Sequence, residues 1–121
     1  MSLPTYVLVT PARNEAEFIE QTITSVINQT VHPLRWVIVS DGSTDGTDDI
    51  VRRTSTAHDW IELLRLPERA QRDFSGKVAA VNAGRARMAE LQYDAIGNLD
   101  ADLSFDEDYF AFLLEKLAGD P

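Results

Sequence analysis

The sequence predicts an α/β fold: an open, mainly parallel sheet with helices on both faces. Two observations predict it. Four short apolar runs alternate with four stretches of helical character, and strands that alternate with helices pair in parallel through right-handed crossovers. The first two runs are also continuous and β-branched, as strands covered on both faces are.

The first run is Tyr6-Val7-Leu8-Val9 and the second Trp36-Val37-Ile38-Val39. The third is Ile61-Glu62-Leu63-Leu64-Arg65-Leu66, and the fourth Ala95-Ile96-Gly97-Asn98-Leu99. All four read as strands. After the first, Asn14 with Glu17 three residues on has the pattern of a capping box. Ile19, Ile23, Val26 and Ile27 then follow helical spacing, and Pro33 closes that stretch. After the second strand, Thr47 can cap a helix with Asp48 and Asp49 in its first turn, reaching about Thr56. A third helix, from about Gly76 to Leu91, is alanine-rich and carries Lys77, Arg85 and Arg87. The last opens on Ser104 with Glu107 and shows Phe110, Leu113, Leu114 and Leu117 as one stripe, with Gly119 placed to end it. Pro67 to Ser75 is polar and reads as a loop. Trp36 and Phe110 are expected in the core.

Composition narrows the function classes. The chain has 121 residues, which suits one domain or part of one. Its net charge of −9 opposes a general nucleic-acid or anionic-membrane binder, since either needs a basic face. The 44% apolar content is ordinary for a globular domain. Cysteine is absent, so disulfides, thiolate zinc sites and cysteine nucleophiles are excluded together. That fits a reducing compartment, and the expected location is the cytoplasm or the inner face of a membrane. No apolar run approaches the ~20 residues of a membrane span, and Met1-Ser2-Leu3-Pro4 lacks the features of a signal peptide.

In open parallel sheets ligands bind beyond the carboxyl ends of the strands. There the sequence places Thr10-Pro11-Ala12-Arg13-Asn14-Glu15, Ser40-Asp41-Gly42-Ser43-Thr44-Asp45-Gly46-Thr47 and Asp100-Ala101-Asp102. Three acidic clusters on one edge repel each other unless a cation sits among them. Asp100 and Asp102 are two apart, so in an extended chain both carboxylates face one side. They could hold Mg²⁺ or Mn²⁺, which prefer oxygen ligands; the alternative is an acidic loop before a helix. Asp41 is either part of a turn or an acceptor for a nucleobase N–H, and residue type does not separate the two. Arg13 and Glu15 are either a solvated pair or contacts for phosphate and ribose. Gly76-Lys77 opens the third helix, where amides and a lysine together favour an anion. Neither the phosphate-loop signature nor the dinucleotide glycine motif is present. His32 and His58 match no metal spacing and read as surface residues. Ser40, Ser43 and Ser104 lack the surroundings of a nucleophile elbow.

With these segments in view, the chain resembles the nucleotide-binding half of a family-2 glycosyltransferase of the GT-A fold. The resemblance rests on Val9 to Glu15, Val37 to Thr47, Gly76 to Gly84 and Asn98 to Asp102, in this order and spacing. Asp100 to Ser104 is also similar to the polyprenyl-phosphate sugar synthases of that family. The resemblance implies a transferase that uses a nucleotide-diphosphate sugar, UDP- or GDP-linked, and a divalent metal, with inversion at the anomeric carbon. It places Pro11, Arg13 and Glu15 along the nucleotide, Asp41 on the base, Lys77 near base or phosphate, Asp100 on ribose or metal, and Asp102 on the metal. It leaves the acceptor unidentified, a polysaccharide or a lipid-linked acceptor being the expectation. The family usually carries two aspartates before the glycine of the second motif; here the first is Ser40, which leaves both bases open. Family members are typically much longer, with the general base and most of the acceptor site in their second half. Asp106, Glu107 and Asp108 fit the first turn of the last helix better than that base. Residues 4–121 are therefore expected to be the nucleotide-sugar-binding half, with the acceptor half outside this sequence and little activity alone. The competing classes are a nucleotidyltransferase and a non-catalytic, response-regulator-like module binding metal or phosphate. The first would need a glycine-rich segment where Pro11 to Glu15 stands, the second a phosphoacceptor aspartate where Leu66-Pro67-Glu68 stands.

Overall fold

In the computed structural model, residues 3–67 and 74–119 are described. Four strands and four helices alternate: β1 (Tyr6–Ala12), α1 (Ile19–Ile27), β2 (Arg35–Asp41), α2 (Thr47–Ala57), β3 (Ile61–Leu66), α3 (Phe74–Arg87), β4 (Ala95–Asn98) and α4 (Tyr109–Gly119). All pairings are parallel, in the order β3-β2-β1-β4. The expected fold class is the one found.

The order explains the layers. The connections through α1 and α2 step one way across the sheet, and the connection through α3 steps back past β1. Right-handed crossovers in opposite directions put their helices on opposite faces. Accordingly, the side chains of α1, α2 and α4 share one core with Tyr6, Leu8, Trp36, Ile38 and Ile61. Ala80 of α3 and Met88, just past its end, share the other with Val7, Val9, Val37 and Val39.

Side chains along β1 and β2 alternate between these cores. Trp36 is fully buried, and its indole Nε1–H donates to the equally buried Thr10 Oγ1 at 2.8 Å. Thr10→Val keeps the shape and leaves the indole N–H without that acceptor. It is expected to lower stability by about 1–3 kcal/mol, read from urea unfolding. An unchanged midpoint would show that another acceptor replaces the hydroxyl.

The apolar runs mark the middle of β1 and β2 but understate their length. Pairing continues through Pro11↔Val39 and Ala12↔Ser40. Pro11 has no N–H to give, and it sits where this costs little. The β1–β4 ladder ends at Val9↔Asn98, so beyond it β1 has β2 as its one strand neighbour.

Helix starts differ from the capping patterns. Asn14 does not cap α1, which begins at Ile19 after a turn over 16–18. Gly46, at φ 100°, precedes α2 in a conformation that favours glycine, and Thr47 is the first helical residue. Ser104 and Glu107 lie before α4 rather than at its start. Its Phe110 N–H is met from another element, by Gln29 Oε1 at 3.0 Å. α3 ends at Arg87, short of Leu91. In α4, Phe110 and Leu114 are buried, whereas Leu113 and Leu117 are 42% and 53% exposed. The row spaced by four faces the sheet; the rest of the stripe flanks it.

Candidate functional site

Parallel strands bring their carboxyl ends to one edge. In the order β3-β2-β1-β4, β1 is the switch point: chain progression runs one way from it and returns on its other side. The carboxyl ends of β1 and β4 adjoin there. Their loops lead to α1 and α4 on one face while α3 covers the other, and ligands bind beyond such an edge. Glu15 follows β1, and Asp100 and Asp102 follow β4.

The electrostatics put these groups together. Partial burial, and then the carboxylates of Asp102, Asp45 and Asp100, push the Glu15 carboxyl above the usual range. Side chains from three separate loops therefore share one field. The three aspartates oppose the ionisation of Glu15, so the edge favours a cation.

Asp100 and Asp102 flank Ala101, which is 4% exposed and packs into the core with Leu99. The chain is turning over 101–102 rather than extended. The buried alanine anchors the turn and leaves both aspartates exposed. Leu99 N–H still donates to Val9 O at 2.9 Å, one step past the end of β4. Beyond Asp102, Leu103 is tied to α1 both ways: its N–H donates to Thr22 Oγ1 at 2.9 Å, and the Thr22 hydroxyl donates to Leu103 O at 2.7 Å. Gln29 continues the tie, donating to Asp106 O at 2.6 Å. Thr22 and Ser25 on α1, with Gln29 just past its end, thus form a polar row that holds the loop carrying Asp102. Their helical spacing was visible in the sequence; their partner was not.

The basic residues flank the carboxylates. Lys77 lies in the first turn of α3, with Nζ 3.5 Å from Asp100 Oδ1. Both side chains are more than half exposed, so the pair is weak and open to exchange for an anion. Arg13 is half-buried, and its Nε and Nη1 have no hydrogen-bond partner among the described residues. Buried guanidinium N–H groups without an acceptor are costly, and an anionic or polyol ligand would satisfy them. Pro11 and Asp41 lie, by strand alternation, on the α3 side of the edge. Asp41 is 6% exposed.

Ser40 is fully buried on the opposite side, and its Oγ has no hydrogen-bond partner among the described residues. His32 is exposed and stacks on Trp60 at 4.9 Å, consistent with a surface role. A cavity of about 540 Å³ lies at the seam of α1 and the loop before α4, lined by Thr24, Asn28 and Phe105 among others. None of the nucleotide or metal candidates lines it.

Among the described residues, no three His, Asp or Glu side chains are grouped to hold a metal by themselves. Two exposed aspartates fit a hard cation that takes its other ligands from phosphate and water. Asp100 and Asp102 fit that donor set.

The parallel sheet, its reversal at β1 and the acidic edge beyond it define a GT-A type α/β domain. The chain belongs to glycosyl transferase family 2, whose family profile matches residues 7–121. It is 31% identical over 108 residues to the poly-beta-1,6-N-acetyl-D-glucosamine synthase of Staphylococcus aureus strain COL, covering 89% of this chain and 24% of that protein. It spans about a quarter of the curated relatives it matches. A mannosyltransferase from Pyrobaculum calidifontis, solved with GDP-Man and Mn²⁺, superposes with a TM-score of 0.74 at 26% identity, over 98% of this chain and 33% of that one. Staphylococcus aureus TarS 1-349, solved with UDP, superposes with a TM-score of 0.73 at 16% identity, over 95% and 32%; at that identity the likeness is one of fold. No helix among the described residues is long and apolar enough to cross a membrane.

Proposed function

We propose that this chain is the donor-binding part of a metal-dependent, inverting glycosyltransferase that takes a UDP- or GDP-linked sugar. The observation that carries the proposal is the gathering of Glu15, Asp45, Asp100 and Asp102, from three loops, into one field. Arg13 and Lys77 complete it. A nucleoside diphosphate offers anionic oxygens for Arg13 and Lys77, hydroxyls for Glu15 and a base edge for Asp41. The metal-loaded mannosyltransferase adds support from a relative of the same fold.

In the proposed reaction an acceptor hydroxyl attacks the anomeric carbon in line while the bond to the diphosphate breaks on the far side. Asp100 and Asp102 would hold Mg²⁺ or Mn²⁺, which supplies positive charge against that developing on the leaving group. Arg13 and Lys77 stabilise the same charge from protein. Glu15 fixes the ribose and thereby the anomeric carbon. The acceptor, a polysaccharide or lipid-linked sugar in this proposal, would be deprotonated by a base outside this chain. The 121-residue chain alone is therefore expected to bind donor weakly and to transfer little or no sugar.

Titration calorimetry with UDP and GDP, each with and without Mn²⁺, tests the site. One nucleotide is expected to bind, and only with the metal. Binding that ignores Mn²⁺, or no binding of either nucleotide, would count against the assignment.

A further inference from the structure

After β1 the chain leaves the sheet at Ala12 and joins α1 only at Ile19. The N–H groups of Asn14, Glu15 and Ala16 therefore lie outside both ladders, and each needs an acceptor. All three find one in the loop after β2. Asn14 N–H donates to Ser43 Oγ at 3.1 Å, Glu15 N–H to Thr47 Oγ1 at 2.9 Å, and Ala16 N–H to Asp45 Oδ2 at 3.1 Å. One bond runs the other way, from Thr44 N–H to Asn14 Oδ1 at 2.8 Å. Asn14 adopts φ 53°, a left-handed conformation asparagine tolerates better than most residues.

Thr47 is the hub. It is fully buried, and its hydroxyl accepts from Glu15 while donating to Asp45 Oδ1 at 2.6 Å. A hydroxyl has one proton to give, and an ionised Asp45 can only accept, so the direction of the chain is set. Asp45 stays ionised readily. Burial acts to raise its carboxyl, but the Thr47 hydroxyl and the N–H groups of Ala16 and Thr47 outweigh it and hold the group below the ordinary range. The carbonyl of Glu15 is fixed as well, accepting from Phe18 and Ile19 N–H at 2.9 and 2.7 Å. Glu15 is thus held on both sides of its Cα: its carbonyl by the turn that leads into α1, its N–H by Thr47, which no local turn would supply.

We propose that Thr47, with Asp45 behind it, is a positioning residue of the donor site: the pair clasps the two loops and aims the Glu15 carboxylate at the edge it shares with Asp100 and Asp102. The inference rests on the donor-site reading above. It assigns Ser43, Asp45 and Thr47 a task beyond leaving β2 and starting α2.

The test compares Thr47→Val, which keeps the shape and loses the hydroxyl, with Thr47→Ser, which keeps the hydroxyl. Asp45→Asn, at an exposed position, serves as a second break should Thr47→Val fail to fold. Two readouts are taken on the 121-residue chain: amide hydrogen exchange at Glu15 and Ala16 without nucleotide, and affinity for UDP and GDP with Mn²⁺. Thr47→Val is expected to speed exchange at Glu15, and Asp45→Asn at Ala16. Each is expected to weaken binding of the preferred nucleotide about tenfold, with Thr47→Ser close to wild type on both counts. Unchanged binding in Thr47→Val and Asp45→Asn, with wild type binding normally, overturns the positioning role alone. A Thr47→Ser variant as weak as Thr47→Val also overturns it, since shape rather than the hydroxyl would then matter. A wild type that binds neither nucleotide overturns the donor-site reading and this inference with it.

Discussion

Asp102→Asn is expected to change binding and stability in opposite directions. Removing one of two metal-holding carboxylates should weaken Mn²⁺-dependent nucleotide affinity by about 100-fold, at the upper end of losses seen around metal sites. The same change removes a negative charge from the group that disfavours Glu15 ionisation. Without metal, the variant should therefore be slightly more stable than wild type. The gain should stay below about 1 kcal/mol, since Asp102 is exposed and solvent screens it. Calorimetry gives the first quantity and thermal unfolding without metal the second. A variant that loses both affinity and stability would mean that Asp102 shapes the turn rather than serving the ligand. One that keeps its affinity would remove Asp102 from the site.

The second large effect is expected at Gly84, on the face of α3 that packs against the sheet. A Cβ built there would meet Val9 Cγ1 at 2.6 Å and Val39 Cγ2 at 3.0 Å. Valine is stiff at χ1, and both valines are fully buried in the middle of the sheet, so neither can step aside. α3 must therefore retreat from the sheet. Alanine gains about 1 kcal/mol in helix propensity over glycine, which offsets part of the overpacking cost of about 1–3 kcal/mol. Gly84→Ala should lose about 1 kcal/mol net. Gly84→Val, larger and without the propensity gain of alanine, should lose about 3 kcal/mol or more. Urea unfolding of both variants gives the comparison. Equal stability of wild type and Gly84→Val would show that α3 does not press on the sheet there.

The sheet was legible because its signal is local. Val7 to Val9 and Val37 to Val39 are apolar on both faces, which is what a covered central strand requires. The strand-end residues followed, since parallel pairing brings every carboxyl end to one edge. The starts of α1 and α4 were not legible, because the groups that satisfy them come from elsewhere. Gln29 reaches the N–H of Phe110, and Thr44 takes up the side chain of Asn14. A capping pattern assumes the nearest partner in sequence, and here tertiary partners won. The role of Thr47 was hidden for the same reason. Its hydroxyl looks like a local cap, whereas its partners are Asp45 and the backbone of the preceding loop. Gly84 gave no signal, since a glycine in an alanine-rich helix reveals nothing until the valines opposite it are known.

The two cores are unequal. Among the described residues, fourteen buried side chains unite three helices with one face of the sheet, while six join the other face to α3 and Met88. α3 alone covers that face, so any opening of α3 bares the whole of it. The helix carries Lys77 at its leading end. A ligand gripped by that lysine would therefore act as a latch, drawing its binding energy into the seam between α3 and the sheet and suppressing its excursions.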